Sequence, residues 1–300
     1  MSSRDIIRSL VPGFILEWNR RRKKNKVRKQ LESKRASGKV WNTASLLQSL
    51  QDAGVDYGKD LLVHSAMSKI GYIEGGPAAV VDALLQAIGP QAHLLMPSSP
   101  VVTLQAEHEL STFEVESTPS KMGAITEYFR SSVADARSAH PLEPVAVKGP
   151  EAQWYVRGHH TDGTSYGPSS PWQKHLERGG QLLYIGTTLI NSGTSLHAIE
   201  DLIGWKNFSF EVYLPQSKTY NVQLAGGRNV SVVSKVHNPA TSALRKCDGL
   251  IPLLEEQGAL KHVTIGEAPS LLVDGEKFKS VLLEAYYKNG VTMYTPEGKS

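Results

Sequence analysis

One histidine at the start of a predicted helix is the residue best suited to acid–base chemistry. His197 follows Gly193-Thr194-Ser195-Leu196 just after a predicted buried strand, which places it in the first turn of a helix at the edge of a site. A histidine titrates near neutral pH, so it can take a proton from an attacking amine. The chain has ten histidines, and a lone histidine more often has a structural role. His197 is therefore a candidate general base that needs support from other residues.

Three further segments have the composition of anion- or amide-binding loops. The loop from His64 to Gly71 follows a buried strand and offers hydroxyls and backbone N–H groups, as ligand-binding loops at the ends of parallel strands do. Thr118 or Ser120 can cap the helix that follows, beside Lys121. Arg137 has the planar guanidinium that binds a phosphate through two hydrogen bonds. Each segment also has a structural explanation, as a plain turn or helix start.

Alternating strands and helices position these segments. Short apolar runs predict buried strands at Leu61–Ser65, His93–Pro97 and Gln181–Gly186. A helix is predicted over Thr194–Ile203, after the last of these strands. This alternation is typical of an α/β fold with a central, largely parallel or mixed sheet flanked by helices. Residues 210–236 alternate apolar and polar side chains around a Gly-Gly pair, which predicts a β-hairpin and so a small β-rich insertion.

The basic charge is concentrated in the N-terminal segment. Residues 1–40 hold 13 Lys and Arg against 3 Asp and Glu, a net charge of +10, whereas the remaining 260 residues hold 20 against 26, a net charge of −6. The folded body is thus slightly acidic, and no nucleic-acid partner is predicted. We predict a basic amphipathic arm over residues 1–39 and a globular domain over residues 40–300.

An apolar stripe precedes the polybasic run of this arm. Its members have helical spacing and are interrupted by Pro12-Gly13; they are Ile6, Ile7, Leu10, Val11, Phe14, Ile15 and Trp18. An apolar stripe beside a polybasic run is typical of a helix that lies on an anionic membrane surface. The alternative is an ordinary amphipathic helix packed on the body. We predict peripheral contact with an anionic membrane through residues 1–30.

The cysteine count and the hydropathy pattern bear on the compartment. The single cysteine, Cys247, excludes an intrachain disulfide and fits a reducing cytoplasm. The sequence contains no run of about 18 apolar residues, which is the length that a membrane-spanning helix needs, so no membrane span is predicted. We therefore expect a cytoplasmic protein, with the inner membrane face as the place where the arm makes contact, and we predict no metal site.

In their order and spacing, the four segments resemble the aminoglycoside 3-N-acetyltransferase family. The similarity runs from about Leu61 to Asp201, roughly half of the chain. It is carried by Leu62-Val63-His64-Ser65, Gly75-Gly76, Met96-Pro97, Pro119-Ser120-Lys121-Met122-Gly123-Ala124-Ile125, Arg137-Ser138-Ala139-His140-Pro141, Asp162, Gly167, Ser170-Pro171-Trp172 and Thr194-Ser195-Leu196-His197.

The resemblance implies a family-specific acetyltransferase fold and direct acyl transfer from acetyl-CoA to an amine. His197 matches the family's catalytic histidine. The residues implied for the cofactor, coenzyme A, are His64, Ser65, Ala66, Met67, Ser68, Ser120, Met122, Gly123, Arg137, Ser138 and Thr194. The residues implied for the substrate are Asp162, Tyr166 and His140.

The sequence departs from the family pattern in two places. Members that act on aminoglycosides carry an acidic residue on a strand about 40 residues after the histidine, where this chain reads Val233-Ser234-Lys235-Val236-His237-Asn238. Either His237 substitutes, or another acid such as Glu200 or Asp201 orients His197. The chain also has Glu143-Pro144 where members often carry a hydroxyl residue.

Three functions are consistent with these features. The absent carboxylate and the basic arm favour N-acylation of an amino sugar, nucleotide- or lipid-linked, during the synthesis of surface polysaccharide. The alternative is an aminoglycoside 3-N-acetyltransferase that confers antibiotic resistance. The second alternative is a non-catalytic, membrane-associated interaction module.

Overall fold

Seven of the described strands form a central mixed sheet. The computed structural model describes residues 13–102, 104–204 and 213–298, and the predicted apolar residues from Ile6 to Val11 lie outside these ranges. The sheet order is β11-β12-β8-β2-β4-β7-β6, with β2 parallel to β4 and β8 and the other pairs antiparallel. The bounds are β2 Leu61–Ser65, β4 Leu94–Pro97, β6 Ala136–Arg137, β7 Val145–Lys148, β8 Gln181–Ile185, β11 Leu260–Ile265 and β12 Ala268–Asp274. The mixed sheet of the sequence prediction is confirmed.

Helices cover both faces of this sheet. Alternate side chains of β2 point to opposite faces, so Leu61 and Val63 belong to one apolar cluster and Leu62 to the other. The first cluster packs under α2, α4 and α6, and the second under α8, α10 and α13. The described helices are α1 Gly13–Ala36, α2 Thr43–Ala53, α3 Met67–Ile70, α4 Gly76–Ile88, α5 Leu104–Glu109, α6 Ala124–Ser132, α7 Ala152–Val156, α8 Pro171–Glu177, α9 Leu189–Ser192, α10 Thr194–Ile203, α11 Pro239–Ser242, α12 Ile251–Glu256 and α13 Gly275–Asn289.

A smaller sheet forms the predicted β-rich insertion. The strands β9 (Gln216–Gln223) and β10 (Asn229–Val236) pair as an antiparallel hairpin, and β5 (Thr112–Glu114) pairs in parallel with β9. Side chains of this small sheet form a separate apolar cluster, which includes the fully buried Phe113 and Tyr220. A further pair, β1 (Val40–Trp41) and β3 (Tyr72–Ile73), is parallel. The hairpin predicted over residues 210–236 is thus present over the part of that range that is described.

The polybasic run lies on α1, which continues to Ala36. The helix begins at Gly13, the first described residue, so the interruption predicted at Pro12-Gly13 stays a prediction, and Pro12 itself is outside the described residues. Its last turn contacts the body, because Lys34 forms an ion pair with Glu267 and the Arg35 guanidinium lies 5.6 Å from the centre of the Tyr72 ring. Trp18 is 58% exposed. Among the described helices, none is both long and apolar enough to cross a membrane.

Arg137 joins the central sheet to the small sheet. Its Nε donates to Ser98 Oγ at 3.0 Å and its Nη2 to the Ser98 carbonyl at 2.5 Å, while Nη1 donates to the carbonyls of Val115 and Thr118 at 3.1 and 2.6 Å. The guanidinium also lies 4.7 Å from the centre of the Phe113 ring. Burial lowers the pKa of Arg137 to about 9. This buried guanidinium holds three chain segments together, and its expected role in gripping a cofactor phosphate stays a prediction.

Replacing Arg137 with Met should destabilise the fold. The change leaves the buried carbonyls of Ser98, Val115 and Thr118 without a donor, so the free energy of unfolding should fall by about 2–4 kcal/mol. Urea denaturation followed by circular dichroism measures this change. The matched control is Arg228→Met in the exposed β9–β10 turn, where about 0.5 kcal/mol or less is expected. Equal losses for both variants would contradict the structural role.

Candidate active site

A pocket opens where the parallel strands end. Its volume is about 450 Å³, and β2 and β4 contribute their last residues to it. Crevices at the carboxyl ends of parallel strands are the usual ligand sites of α/β proteins. The described lining residues are Val63, His64, Ser65, Pro97, Val101, Val102, Glu107, Lys121, Met122, Thr126, Glu143, Tyr166, Ile190, Asn191, Ser192, Gly193, Thr194, His197, His237 and Arg245.

His197 lies in this pocket on the first turn of α10, as its sequence context predicts. Its ring is 6% exposed and stacks on Tyr166, with ring centres 4.9 Å apart. Its Nδ1 is 2.8 Å from Glu200 Oε2, one turn further along the same helix. Of the acids that the sequence offers for orienting His197, Glu200 is thus the one in contact. Asp201 instead accepts hydrogen bonds from Thr164 Oγ1 at 2.6 Å and Gln173 Nε2 at 3.2 Å.

Arg245 determines which ring nitrogen of His197 carries the hydrogen. Its Nη1 is 3.5 Å from His197 Nε2, and a guanidinium can only donate. The lone pair of His197 is therefore on Nε2, and Nδ1–H donates to Glu200. Burial lowers the pKa of His197 well below its ordinary value, and the nearby His237 and Arg245 lower it further. His197 is consequently a neutral imidazole at pH 7, with a lone pair that can accept a proton.

A second histidine–carboxylate pair faces the first. His237 follows β10 directly, and Glu107 on α5 accepts its backbone N–H at 3.2 Å and lies 3.3 Å from its Nδ1 through both carboxylate oxygens. The rings of His237 and His197 are 4.9 Å apart. The sequence offered no carboxylate near Val236, and Glu107 supplies one from 130 residues earlier in the chain.

Glu143 is a further acid of the pocket that sequence reasoning did not assign. Burial raises its pKa to about 8, the neighbouring Glu107 raises it too, and Arg245 partly opposes the shift. At pH 7 most of this carboxyl is therefore protonated. Glu107, Glu143 and Arg245 belong to none of the motifs that marked the site, and no spacing in the sequence links them to His197.

The strand-end loop brings some of its expected residues to the pocket. His64 and Ser65 line it. The His64 ring stacks on Tyr184 at 5.0 Å, and burial lowers its pKa to about 3. Ala66 N–H donates to the Ile185 carbonyl at 2.8 Å, so this amide is occupied by the sheet. Ala66 lies next to the pocket, and Met67 and Ser68 belong to the short helix α3; none of the three contributes to its lining.

The segment before α6 contributes Met122 and its neighbour Lys121 to the pocket. Ser120 has an internal role: its backbone N–H donates to Glu127 Oε2 at 2.7 Å, and its Oγ accepts from Met122 N–H at 3.1 Å. Gly123 precedes α6 with a positive φ of 117°. Thr194, the last cofactor residue expected from the sequence, lines the pocket at the start of α10.

Three expected ligand residues are instead part of the interior framework. Ser138 Oγ lies 2.8 Å from His159 Nδ1 and accepts from Val145 N–H. His140 Nε2 is 3.1 Å from Ser234 Oγ and its ring is fully buried, and its expected contact with substrate stays a prediction. Asp162 Oδ2 accepts from Ser169 N–H at 2.9 Å within its own loop. Tyr166 does line the pocket.

Comparison with known proteins agrees with this architecture. The model of the aminoglycoside 3-N-acetyltransferase family matches residues 62–285. Aminoglycoside N(3)-acetyltransferase III from Salmonella sp is 29% identical over 188 residues, which cover 57% of this chain and 65% of that protein. The match thus spans just under two thirds of the curated relative's length.

Solved structures match over more of the chain. AAC-VIa bound to sisomicin has a TM-score of 0.66 and 26% identity, with 81% of this chain and 96% of that chain covered. The AAC-IIIb binary complex with CoASH has a TM-score of 0.65 and 22% identity, with 83% and 97% covered. The family model covers well over half of the residues. The chain belongs to the aminoglycoside 3-N-acetyltransferase family.

Proposed function

We propose that this protein is an N-acetyltransferase that moves an acetyl group from acetyl-CoA to an amine of an aminoglycoside. The observation that carries the proposal is the His197–Glu200 pair, in which the lone pair of His197 is on Nε2 and the ring lines a pocket at the ends of the parallel strands. A neutral histidine with a fixed tautomer is the group that such a reaction needs, because an amine must lose a proton as it attacks a thioester. Burial raises the pKa of Glu200, the carboxyl that fixes the tautomer of His197, well above its ordinary value.

Support for the donor comes from the pocket itself and from the family. His64 lines the pocket, and its buried Nε2 has no hydrogen-bond partner among the described residues. Lys121 adds a positive charge at the rim, where the phosphates of coenzyme A require one. The AAC-IIIb structure contains CoASH. We assign the donor side to His64, Ser65, Met122 and Thr194.

In the proposed reaction His197 Nε2 takes the proton of the attacking amine. The amine nitrogen bonds to the thioester carbonyl carbon, and the carbonyl oxygen becomes an oxyanion that Thr194 is placed to stabilise. Glu200 keeps the imidazole in the tautomer that presents the Nε2 lone pair, and it stabilises the imidazolium that forms. The C–S bond then breaks and the amide is released. The sole cysteine, Cys247, is buried against Met293 and takes no part.

The acceptor is better supported as an aminoglycoside than as an amino sugar of a polysaccharide. Curated relatives are aminoglycoside N(3)-acetyltransferases, and AAC-VIa binds sisomicin. The polysaccharide reading depended on a missing carboxylate, and Glu107 and Glu143 now supply acids to the same pocket. No described residue or comparison supports a nucleotide- or lipid-linked acceptor.

His197→Ala should remove acetyl transfer and leave the fold intact. Loss of a general base typically costs about 10²–10⁴-fold in rate. The readout is the release of free thiol from acetyl-CoA in the presence of an aminoglycoside. His262→Ala, which changes an exposed histidine, should retain full activity. A His197→Ala protein with normal kcat would refute the assignment of the base.

The wild-type protein should acetylate aminoglycosides such as sisomicin with kcat/KM of about 10⁴ M⁻¹s⁻¹ or more. A non-catalytic module would bind neither substrate, so a thermal-shift titration distinguishes it. Acetyl-CoA at 100 times its Kd should stabilise the fold by about 2.7 kcal/mol. Binding of acetyl-CoA without turnover of any aminoglycoside would contradict the aminoglycoside as acceptor and would favour an amino sugar of a polysaccharide instead.

We also propose that α1 contacts an anionic membrane. Arg22, Lys26 and Lys29 are exposed on this helix, and the Arg22 guanidinium lies 5.5 Å over the exposed Trp18 ring. Basic side chains beside an exposed aromatic residue suit the headgroup region of a bilayer.

Changing Arg22, Lys26 and Lys29 to Gln in the full chain should weaken liposome binding by about 100-fold, because each basic residue contributes about 1 kcal/mol at such a surface. Co-sedimentation with vesicles of anionic and of neutral lipid measures this. The matched control changes the exposed Arg228, Lys261 and Lys288 of the body to Gln. Equal binding by both variants would show that α1 is not the contact.

A further inference from the structure

His237 and His64 are the two pocket-lining histidines that have an unpartnered ring nitrogen among the described residues. His237 is 6% exposed and lines the pocket, yet its Nε2 has no hydrogen-bond partner among the described residues. The neighbouring His140 and His159 use both ring nitrogens in internal hydrogen bonds. Because buried polar atoms are normally paired, the free Nε2 of His237 indicates a contact that a ligand completes.

Glu107 fixes the orientation of this ring. Its carboxylate holds both the backbone N–H and Nδ1 of His237. A carboxylate acts here as an acceptor, so Nδ1 carries a hydrogen. Glu107 therefore fixes the His237 ring in the wall of the pocket, with its centre 4.9 Å from that of the His197 ring.

We propose that His237 is a second catalytic residue, which protonates the sulfur that leaves, and that Glu107 is its positioning residue. The proposal rests on the acetyl-transfer function described above. It assigns separate groups to the two proton movements, with His197 as the base for the amine and His237 as the acid for the thiol.

Two proton transfers accompany the acyl transfer. The amine nitrogen forms a bond to the carbonyl carbon, and one amine proton moves to His197 Nε2. As the carbonyl re-forms, the C–S bond breaks and its electron pair goes to sulfur, which takes the Nε2 proton of the His237 imidazolium. The products are the amide and a neutral thiol. A proton then passes from His197 to His237 between adjacent rings or through water, which restores both residues.

The charges around the pair are consistent with this division. Glu107 stabilises a cation on His237, whereas Arg245 contacts Nε2 of His197 and opposes a cation there. Arg245 therefore helps to keep His197 neutral until the amine attacks, and Glu107 supplies the negative charge that a protonated His237 needs.

The experiment compares two acetyl donors with thiols of different acidity. A thiolate of a strongly acidic aryl thiol leaves without protonation, whereas the alkyl thiol of coenzyme A, with a pKa near that of cysteine at about 8.5, benefits from an acid. His237→Asn should lower kcat/KM with acetyl-CoA by about 10²-fold or more. With an acetyl aryl thioester, the loss should be less than about tenfold.

His197→Ala should lose activity with both donors, because the amine still needs its base. Glu107→Gln should show the donor dependence of His237→Asn in weaker form, and the exposed His262→Asn should show none. An equal loss with both donors in His237→Asn would overturn the proposal and leave His237 with a structural role. A wild-type protein inactive with both donors would instead overturn the proposed function itself, so the two failures are distinguishable.

Discussion

The hydrogen bond from His197 Nδ1 to Glu200 is the interaction on which the rest of the site depends. A buried imidazole can expose a lone pair on Nε2 only if Nδ1–H has its own partner. Glu200 supplies that partner from the same helix, at a spacing that requires no other element. The central sheet and the stacked Tyr166 ring position this turn of α10 at the ends of the parallel strands, where the pocket opens.

In the second pair, His237 with Glu107, the carboxylate comes from a different position in the sequence than the family pattern predicts, yet it lies in the same pocket. The strand that ends at Val236 carries a histidine where active relatives were expected to carry a carboxylate. The carboxylate comes instead from α5, which packs across from the strand end. The Glu107–His237 pair therefore contributes both a carboxylate and an imidazole to the pocket, whereas a single acidic residue would contribute only a carboxylate.

The sequence predicted the parts of the fold and site that depend on local pattern. The buried strands at Leu61 and Gln181, the helix at Thr194 and the hairpin after residue 215 follow from runs and alternation of apolar residues. His197 and Glu200 are one helical turn apart, so their contact was readable from spacing alone. Glu107 and Arg245 reach the pocket from distant elements through tertiary packing, which periodicity does not encode. Arg137 shows the converse case, because a motif arginine of a type suited to phosphate donates here to backbone carbonyls, a contact that its motif does not predict.

Glu143 gives the pocket a link between ligand binding and the stability of the fold. Its pKa of about 8 in the folded chain lies above the ordinary value of 4.5. Below pH 4.5 the carboxyl is protonated in both folded and unfolded chains, and it has no effect on their balance. Between pH 4.5 and pH 8 the unfolded chain releases this proton while the folded chain retains it, so this carboxyl makes folding progressively less favourable as the pH rises. A cationic amine beside Glu143 would favour the ionised form and relieve that penalty. A cation bound beside Glu143 would thus stabilise the folded state, by offsetting the cost of burying this carboxyl.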